Sequence, residues 1–207
     1  MVRAKVAALG GNQQSEFASY LRQAQACTNS PAPRLIITHG LSGSGKSYTA
    51  SRAADQSGAV HLRSDIERKR LEGLAALSRT GSGLDSGIYT SDKTARTYQH
   101  LLQSAQQVLQ DGYSVIVDAT FLLGEQRRAF RELADRLSIP FAILDMQTPE
   151  SLLRQRIRQR REQASDPSEA DEKVLELQLQ NRQPLTSEEL ACAIPVTPDQ
   201  GLDIPVA

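Results

Sequence analysis

The sequence predicts an α/β fold: a five-stranded parallel sheet in three layers, with helices on both faces. Three observations predict it. Short apolar runs alternate with charged, amphipathic segments from about residue 34 onward, the pattern of strand–helix–strand crossovers. A glycine-rich turn follows the first apolar run directly. Two later runs lead into acidic residues, Asp65 and Asp118, and the carboxyl ends of parallel strands are where ligands bind.

The elements follow in order. Residues 1–30 read as a helical N-terminal extension and 31–207 as the main domain. In the extension, Arg3 to Ala8 suits a helix, Gly10-Gly11-Asn12 breaks it, and Glu16 to Ala26 forms a second short helix. Pro31-Ala32-Pro33 is the linker. Leu35 to His39 is a buried-type strand, and a helix starts at Ser47. Ala59 to Leu62 is the second strand, closed by Asp65, with a charged helix from Asp65 to about Leu74. Ser78 to Ser86 is a Gly/Ser-rich loop, and Lys93 to Leu109 a long amphipathic helix. Ser114 to Asp118 is the clearest strand, followed by a helix from Gln126 to Leu137 that stops before Pro140. Phe141 to Asp145 is the fourth strand. Glu150 to Arg161 is a basic helix, Gln163 to Pro167 a break, and Ser168 to Gln180 a further helix. Ala193 to Thr197 is a fifth strand, placed at the edge because Pro195 cannot donate to a central ladder.

Composition excludes several classes. A chain of 207 residues fits one domain with an appendage. Lys+Arg 24 balances Asp+Glu 24, aromatics are 4% and Trp is absent, so the basic excess and stacking platforms of a binder of long nucleic acid are missing. No apolar run approaches the ~18 residues that span a bilayer, and the first residues lack a signal-peptide core. The two cysteines, Cys27 and Cys192, sit in unrelated contexts and suit reduced thiols. Together these features predict a cytoplasmic protein without a membrane partner.

The strongest motif is Gly40-Leu41-Ser42-Gly43-Ser44-Gly45-Lys46-Ser47, which fits G-x-x-x-x-G-K-[ST] between a strand and a helix. Its glycines let backbone N–H groups turn around a polyphosphate, and the helix start adds a positive dipole end. Lys46 suits the β- and γ-phosphates, and Ser47 offers a hydroxyl to Mg²⁺. Tyr48 continues this nucleotide-facing stretch. Asp118 faces the same crevice, either as a second Mg²⁺ ligand or as a cap of the following turn. Ala119 follows it, so no acidic residue polarises water there, which tilts the reading from hydrolysis toward transfer. Asp65 and Arg68, one helical turn apart, suit an acceptor hydroxyl and a charged part of the same substrate. The alternative is a helix cap beside a solvated run. Five arginines between Arg154 and Arg161 suit phosphate oxygens or, alternatively, a solvated helix face.

Taken together, these residues resemble a known group. Thr38 to Ser47, Arg63 to Leu71, Gly87-Ile88-Tyr89, Val115 to Leu122, and Ser165 to Asp171 followed by Gln178 occur in the order found in P-loop kinases of the polynucleotide-kinase, zeta-toxin and gluconate-kinase-like group. They are most similar to the AAA-type ATP-binding half of bacterial two-part proteins whose other half is aminoglycoside-phosphotransferase-like. The resemblance implies a three-layer P-loop NTPase sandwich of nucleoside-monophosphate-kinase type with a helical lid. It implies ATP and Mg²⁺ as cofactors, Ser47 and Asp118 as metal ligands, and Lys46, Asp65 and Arg160 as catalytic residues. It implies acceptor contacts from Asp65, Arg68, Thr120 and Arg127, and a lid arginine, Arg156, on the nucleotide. Residues 2–8 resemble the last helix of the phosphotransferase-like half, so the extension would be a remnant of that domain. The activity implied is transfer of phosphate from ATP to a hydroxyl of a small anionic acceptor. The alternatives are a nucleotide-binding regulatory module for a partner phosphotransferase domain, or a nucleic-acid 5′-hydroxyl kinase.

Overall fold

A computed structural model describes residues 17–20, 32–75, 90–163 and 172–198, with residues 160–163 described by backbone alone. The chain divides into two compact units, Met1–Ala32 and Pro33–Ala207. In the first, residues 17–20 are helical. The remainder of the predicted extension, the Ser78–Ser86 loop, the Gly87–Tyr89 segment and the 164–171 break lie outside the described residues, as does the side chain of Arg160.

The second unit holds the sheet. In chain order it comprises β1 (Leu35–His39), α1 (Lys46–Ser57), β2 (Val60–Arg63), α2 (Ser64–Leu71), α3 (Ser91–Gln110), β3 (Val115–Asp118), α4 (Gly124–Leu137), β4 (Phe141–Met146), α5 (Glu150–Gln163), α6 (Glu172–Asn181), α7 (Ser187–Leu190) and β5 (Ala193–Val196). The five strands are parallel, in the order β2-β3-β1-β4-β5. β5 is the predicted edge strand, and Pro195 there is exposed.

Alternation along the strands builds two cores. Leu35, Ile37, Val115 and Val117 point to one face, against Leu101, Ala105 and Leu109 of α3 and Phe130, Leu133 and Ala134 of α4. Ile36, Ile116 and Leu144 point to the other, against Ala50, Ala53 and Ala54 of α1. Alanines on the contact face of α1 bring that helix, and the loop leading into it, close to the sheet.

Two details depart from the sequence reading. β2 ends at Arg63 and α2 begins at Ser64 with no turn between, so Asp65 does not close the strand but lies in the first turn of the helix. Neither Ser64 nor Asp65 caps it: the cap residue is Arg63, without a side-chain bond. The second departure is α7, which was not anticipated. Its Thr186 side chain accepts from the Glu189 N–H, and the Glu189 carboxylate accepts from the Thr186 N–H. This T-x-x-E capping box was readable in the sequence. Among the described residues no helix is long and apolar enough to cross a membrane.

Candidate active site

The glycine-rich loop leaves the end of central strand β1 and enters α1. Gly40 has φ 152, and a Cβ there would lie 2.8 Å from Met146 Cβ and 2.9 Å from Ser44 Oγ. Gly45, at φ 94, is the N-cap of α1. Both positions need glycine, one for space and both for conformation. Partners on every side then fix the loop. The Gly40 N–H donates to the Thr120 carbonyl (3.1 Å), and the Thr148 hydroxyl to the Ser44 carbonyl (3.1 Å). The Ser42 N–H donates to Gln178 Oε1 of α6 (2.8 Å), and Arg156 of α5 reaches the Gly43 carbonyl (3.4 Å). Leu41 is buried against Leu153 and Ile157 of α5 and Leu175 of α6. Lys46 folds back so that its Nζ donates to the Leu41 carbonyl at 2.7 Å. The loop is thus a backbone ring clasped by the two helices that flank residues 164–171.

Asp118 ends β3 beside this ring and is buried. Burial alone would raise its pKa, but the adjacent His61 and Ser47 side chains, with the Lys46 charge, hold it below the usual carboxylate range. His61 Nε2 lies 3.5 Å and Arg63 Nε 3.6 Å from Asp118 Oδ2. The Ser47 hydroxyl and an ionised Asp118 are therefore neighbours, the oxygen pair that a Mg²⁺ ion on a phosphate loop requires.

Asp65 is the opposite case. Its pKa is raised, first by burial and then by Asp118, against the lowering charges of Arg68, Lys46 and Arg63. The structure therefore brings Asp65, Arg68, Lys46 and Asp118 into one charged cluster. Arg68 is buried at 8% exposure and donates to the Thr94 hydroxyl at 3.0 Å.

Tyr98 of α3 was missed in the sequence. Its hydroxyl lies 3.3 Å from Thr120 Oγ1 and accepts the Phe121 N–H at 3.1 Å. Phe121 has φ 48, a left-handed backbone that a bulky residue rarely adopts. Its ring meets Tyr98 and Phe130 edge-to-face. Tyr98 thus pins the turn that carries Thr120 into the cleft. The amphipathic period of α3 marks Tyr98 as core-facing, and nothing local marks its hydroxyl as part of a site.

Arg127 does not join the cluster. It is 1% exposed, and all five of its N–H groups are used: two on the Glu189 carboxylate (2.7 and 3.0 Å), the others on the carbonyls of Phe121, Gln183 and Pro184. A saturated guanidinium has no donor left for an acceptor molecule. The expected substrate contact is corrected to a structural clamp on the segment that joins α6 to α7. Tyr48 is 66% exposed, with the Arg52 guanidinium 5.7 Å from its ring centroid.

Residues 35–185 match a family model described as an AAA domain. The chain belongs to that family. Uncharacterised proteins of Mycobacterium bovis and Mycobacterium tuberculosis are 35% identical to this chain over 101 residues, which is 49% of this chain and 20% of theirs. The matched stretch is therefore about a fifth of the length of those relatives. Among solved structures, the AAA domain is similar to a sugar kinase from Janibacter (TM-score 0.59, 21% identity, 83% of this chain and 88% of that one). It is also similar to a gluconokinase from Sinorhizobium meliloti (0.55, 23%, 82% and 85%). The APS kinase of Mycobacterium tuberculosis, solved with AMPPNP and APS, is a third (0.56, 22%, 83% and 91%). At these identities the comparison shows the fold, a P-loop kinase α/β sandwich.

Proposed function

We propose that this protein is a cytoplasmic, ATP- and Mg²⁺-dependent phosphotransferase that acts on a hydroxyl of a small anionic acceptor. The observation that carries the reading is Asp65. A carboxylate whose pKa is raised by burial, close to the loop lysine and beside an arginine, suits a proton acceptor better than a helix cap. A module that only binds nucleotide has no use for it.

The residues divide the work as follows. The N–H groups of the Gly40–Ser47 loop and the Lys46 ammonium bind the phosphates, and Tyr48 continues that face. Ser47 and Asp118 would hold Mg²⁺, which when bound with ATP supplies charge neutralisation for the departing phosphate. Asp65 takes the proton of the acceptor hydroxyl as that oxygen bonds to the γ-phosphorus, while the bond from the γ-phosphorus to the β–γ bridging oxygen breaks and ADP leaves. Arg68 binds the anionic part of the acceptor, and Thr120, pinned by Tyr98, orients it. Arg156, already against the loop, and Arg160, further along α5, supply positive charge to the phosphoryl group in flight. An aminoglycoside-phosphotransferase-like domain is the partner expected from the resemblance of residues 2–8 to the last helix of such a domain.

Two variants test the reading. Lys46→Ala should abolish turnover and weaken ATP·Mg²⁺ binding in calorimetry while leaving the fold intact. Asp65→Asn should leave that binding nearly unchanged and cut transfer to the acceptor, identified by a metabolite screen, by roughly 10²-fold or more. Full transfer by the Asn variant would return Asp65 to a structural role and the protein to a regulatory nucleotide-binding module.

A further inference from the structure

Against the phosphate loop lies a recess of about 450 Å³. It shares Gly40, Leu41 and Ser44 with the loop, but Lys46, Ser47, Asp65, Asp118 and Arg156 do not line it. Its rim residues Arg182 and Leu190 are exposed, whereas Ser44, Leu122 and Leu153 are buried. One wall is apolar, made by Leu41, Leu122 and Leu153. The other carries His39 and Asp145, from the adjacent ends of β1 and β4, together with Ser44 and Gln147.

The polar wall has a definite hydrogen-bonding sense. Asp145 is held below the usual carboxylate range by the His39 hydrogen bond, so it is an anion that only accepts. His39 Nδ1 lies 2.7 Å from Asp145 Oδ1, and with the ring proton on Nδ1, donated to that carboxylate, Nε2 is the acceptor of the ring. That Nε2 and Ser44 Oγ are buried, and neither has a hydrogen-bond partner among the described residues. Gln147 Nε2 donates to the second Asp145 oxygen at 3.3 Å. Acceptors therefore dominate the interior, and the one cation lining the recess, Arg182, stands at its exposed rim. Buried polar atoms without partners are rare, because desolvating them is costly unless a ligand or water completes them.

We infer that this recess binds a small organic molecule with an amino or amidino head on an apolar body. The head donates to His39 Nε2 and the Asp145 carboxylate, Ser44 Oγ completes its hydrogen bonds, and the leucine wall takes the body. An anionic head finds a carboxylate and a lone pair facing it.

The test is an NMR titration of the full ¹⁵N-labelled chain with benzamidine, and with benzoate as its charge-reversed counterpart. Benzamidine should give saturable shifts at the His39 ring and at the Ser44 and Leu122 amides, and these should persist under saturating AMPPNP·Mg²⁺. Benzoate should give none. Asp145→Asn, which keeps shape and removes charge, should raise the benzamidine Kd about tenfold or more while the rest of the spectrum stays that of the folded protein. His39→Gln provides a second variant with the same expected loss. Any of four results overturns the inference: no saturable shift, equal binding of benzoate, displacement of benzamidine by AMPPNP, or undiminished affinity in folded Asp145→Asn or His39→Gln.

Discussion

Arg127 is a buried and Asp65 a half-buried charged group, and their surroundings differ in kind. Around Arg127 every donor is matched. Burial would push Glu189 upward, yet its bonds to Arg127 and Thr186 hold it below the ordinary range. Around Asp65 the balance runs the other way: burial and Asp118 together outweigh Arg68, Lys46 and Arg63. The first arrangement is at its electrostatic optimum in the folded chain. The second is left shifted toward its protonated acid. Perturbed, unbalanced carboxylates of this kind cluster at functional sites, which is what the proposed role of Asp65 draws on.

Three changes sharpen this contrast. The largest effect belongs to Arg127→Met. It strands Glu189 and three backbone carbonyls, and should cost about 3–5 kcal/mol of stability in urea unfolding. A loss below about 1 kcal/mol would show that the clamp is decorative. Next comes Tyr98→Phe, which keeps both ring contacts but removes the partner of the Phe121 N–H at a strained backbone. We expect a loss of about 1–3 kcal/mol in the same assay, together with weaker acceptor use at unchanged nucleotide affinity.

The smallest effect has the opposite sign. Asp65 has a folded-state pKa above its unfolded value, so its ionisation costs stability at neutral pH. Asp65→Asn should therefore raise Tm, by about a few degrees for a chain of this size. The advantage should be absent below the unfolded carboxylate value of about 3.9, grow as pH rises through the folded pKa, and then level off. A variant less stable than wild type at neutral pH would place Asp65 with Arg127 as a structural group.

The sequence made some of this legible and not the rest, for physical reasons. The phosphate loop, strands β1 to β4 and the edge position of β5 depend on local chemistry: glycine conformations, apolar runs, a proline. The acidic end of β3 was legible for the same reason. Arg127 was not, because its role is set by Glu189, 62 residues later, and one arginine on an amphipathic helix looks like any other. The boundary at Asp65 was misplaced by the abrupt passage from Arg63 to Ser64, where no glycine or proline marks the change. Tyr98 hides in an apolar stripe whose period explains it fully without its hydroxyl.

The Arg127 clamp has a mechanical consequence for the helix above it. Its bonds to the carbonyls of Gln183 and Pro184 pin the chain where α6 ends, so that end acts as a fulcrum. Gln178, which holds the phosphate loop, lies about 6 Å along the helix from residue 182, and Glu172 lies about 15 Å along it. Any displacement of Gln178 about that pivot is multiplied about 2.5-fold at the far end of α6, the ratio of the two arms. The geometry is that of a lever with its effort at the phosphate loop and its pivot in a buried arginine.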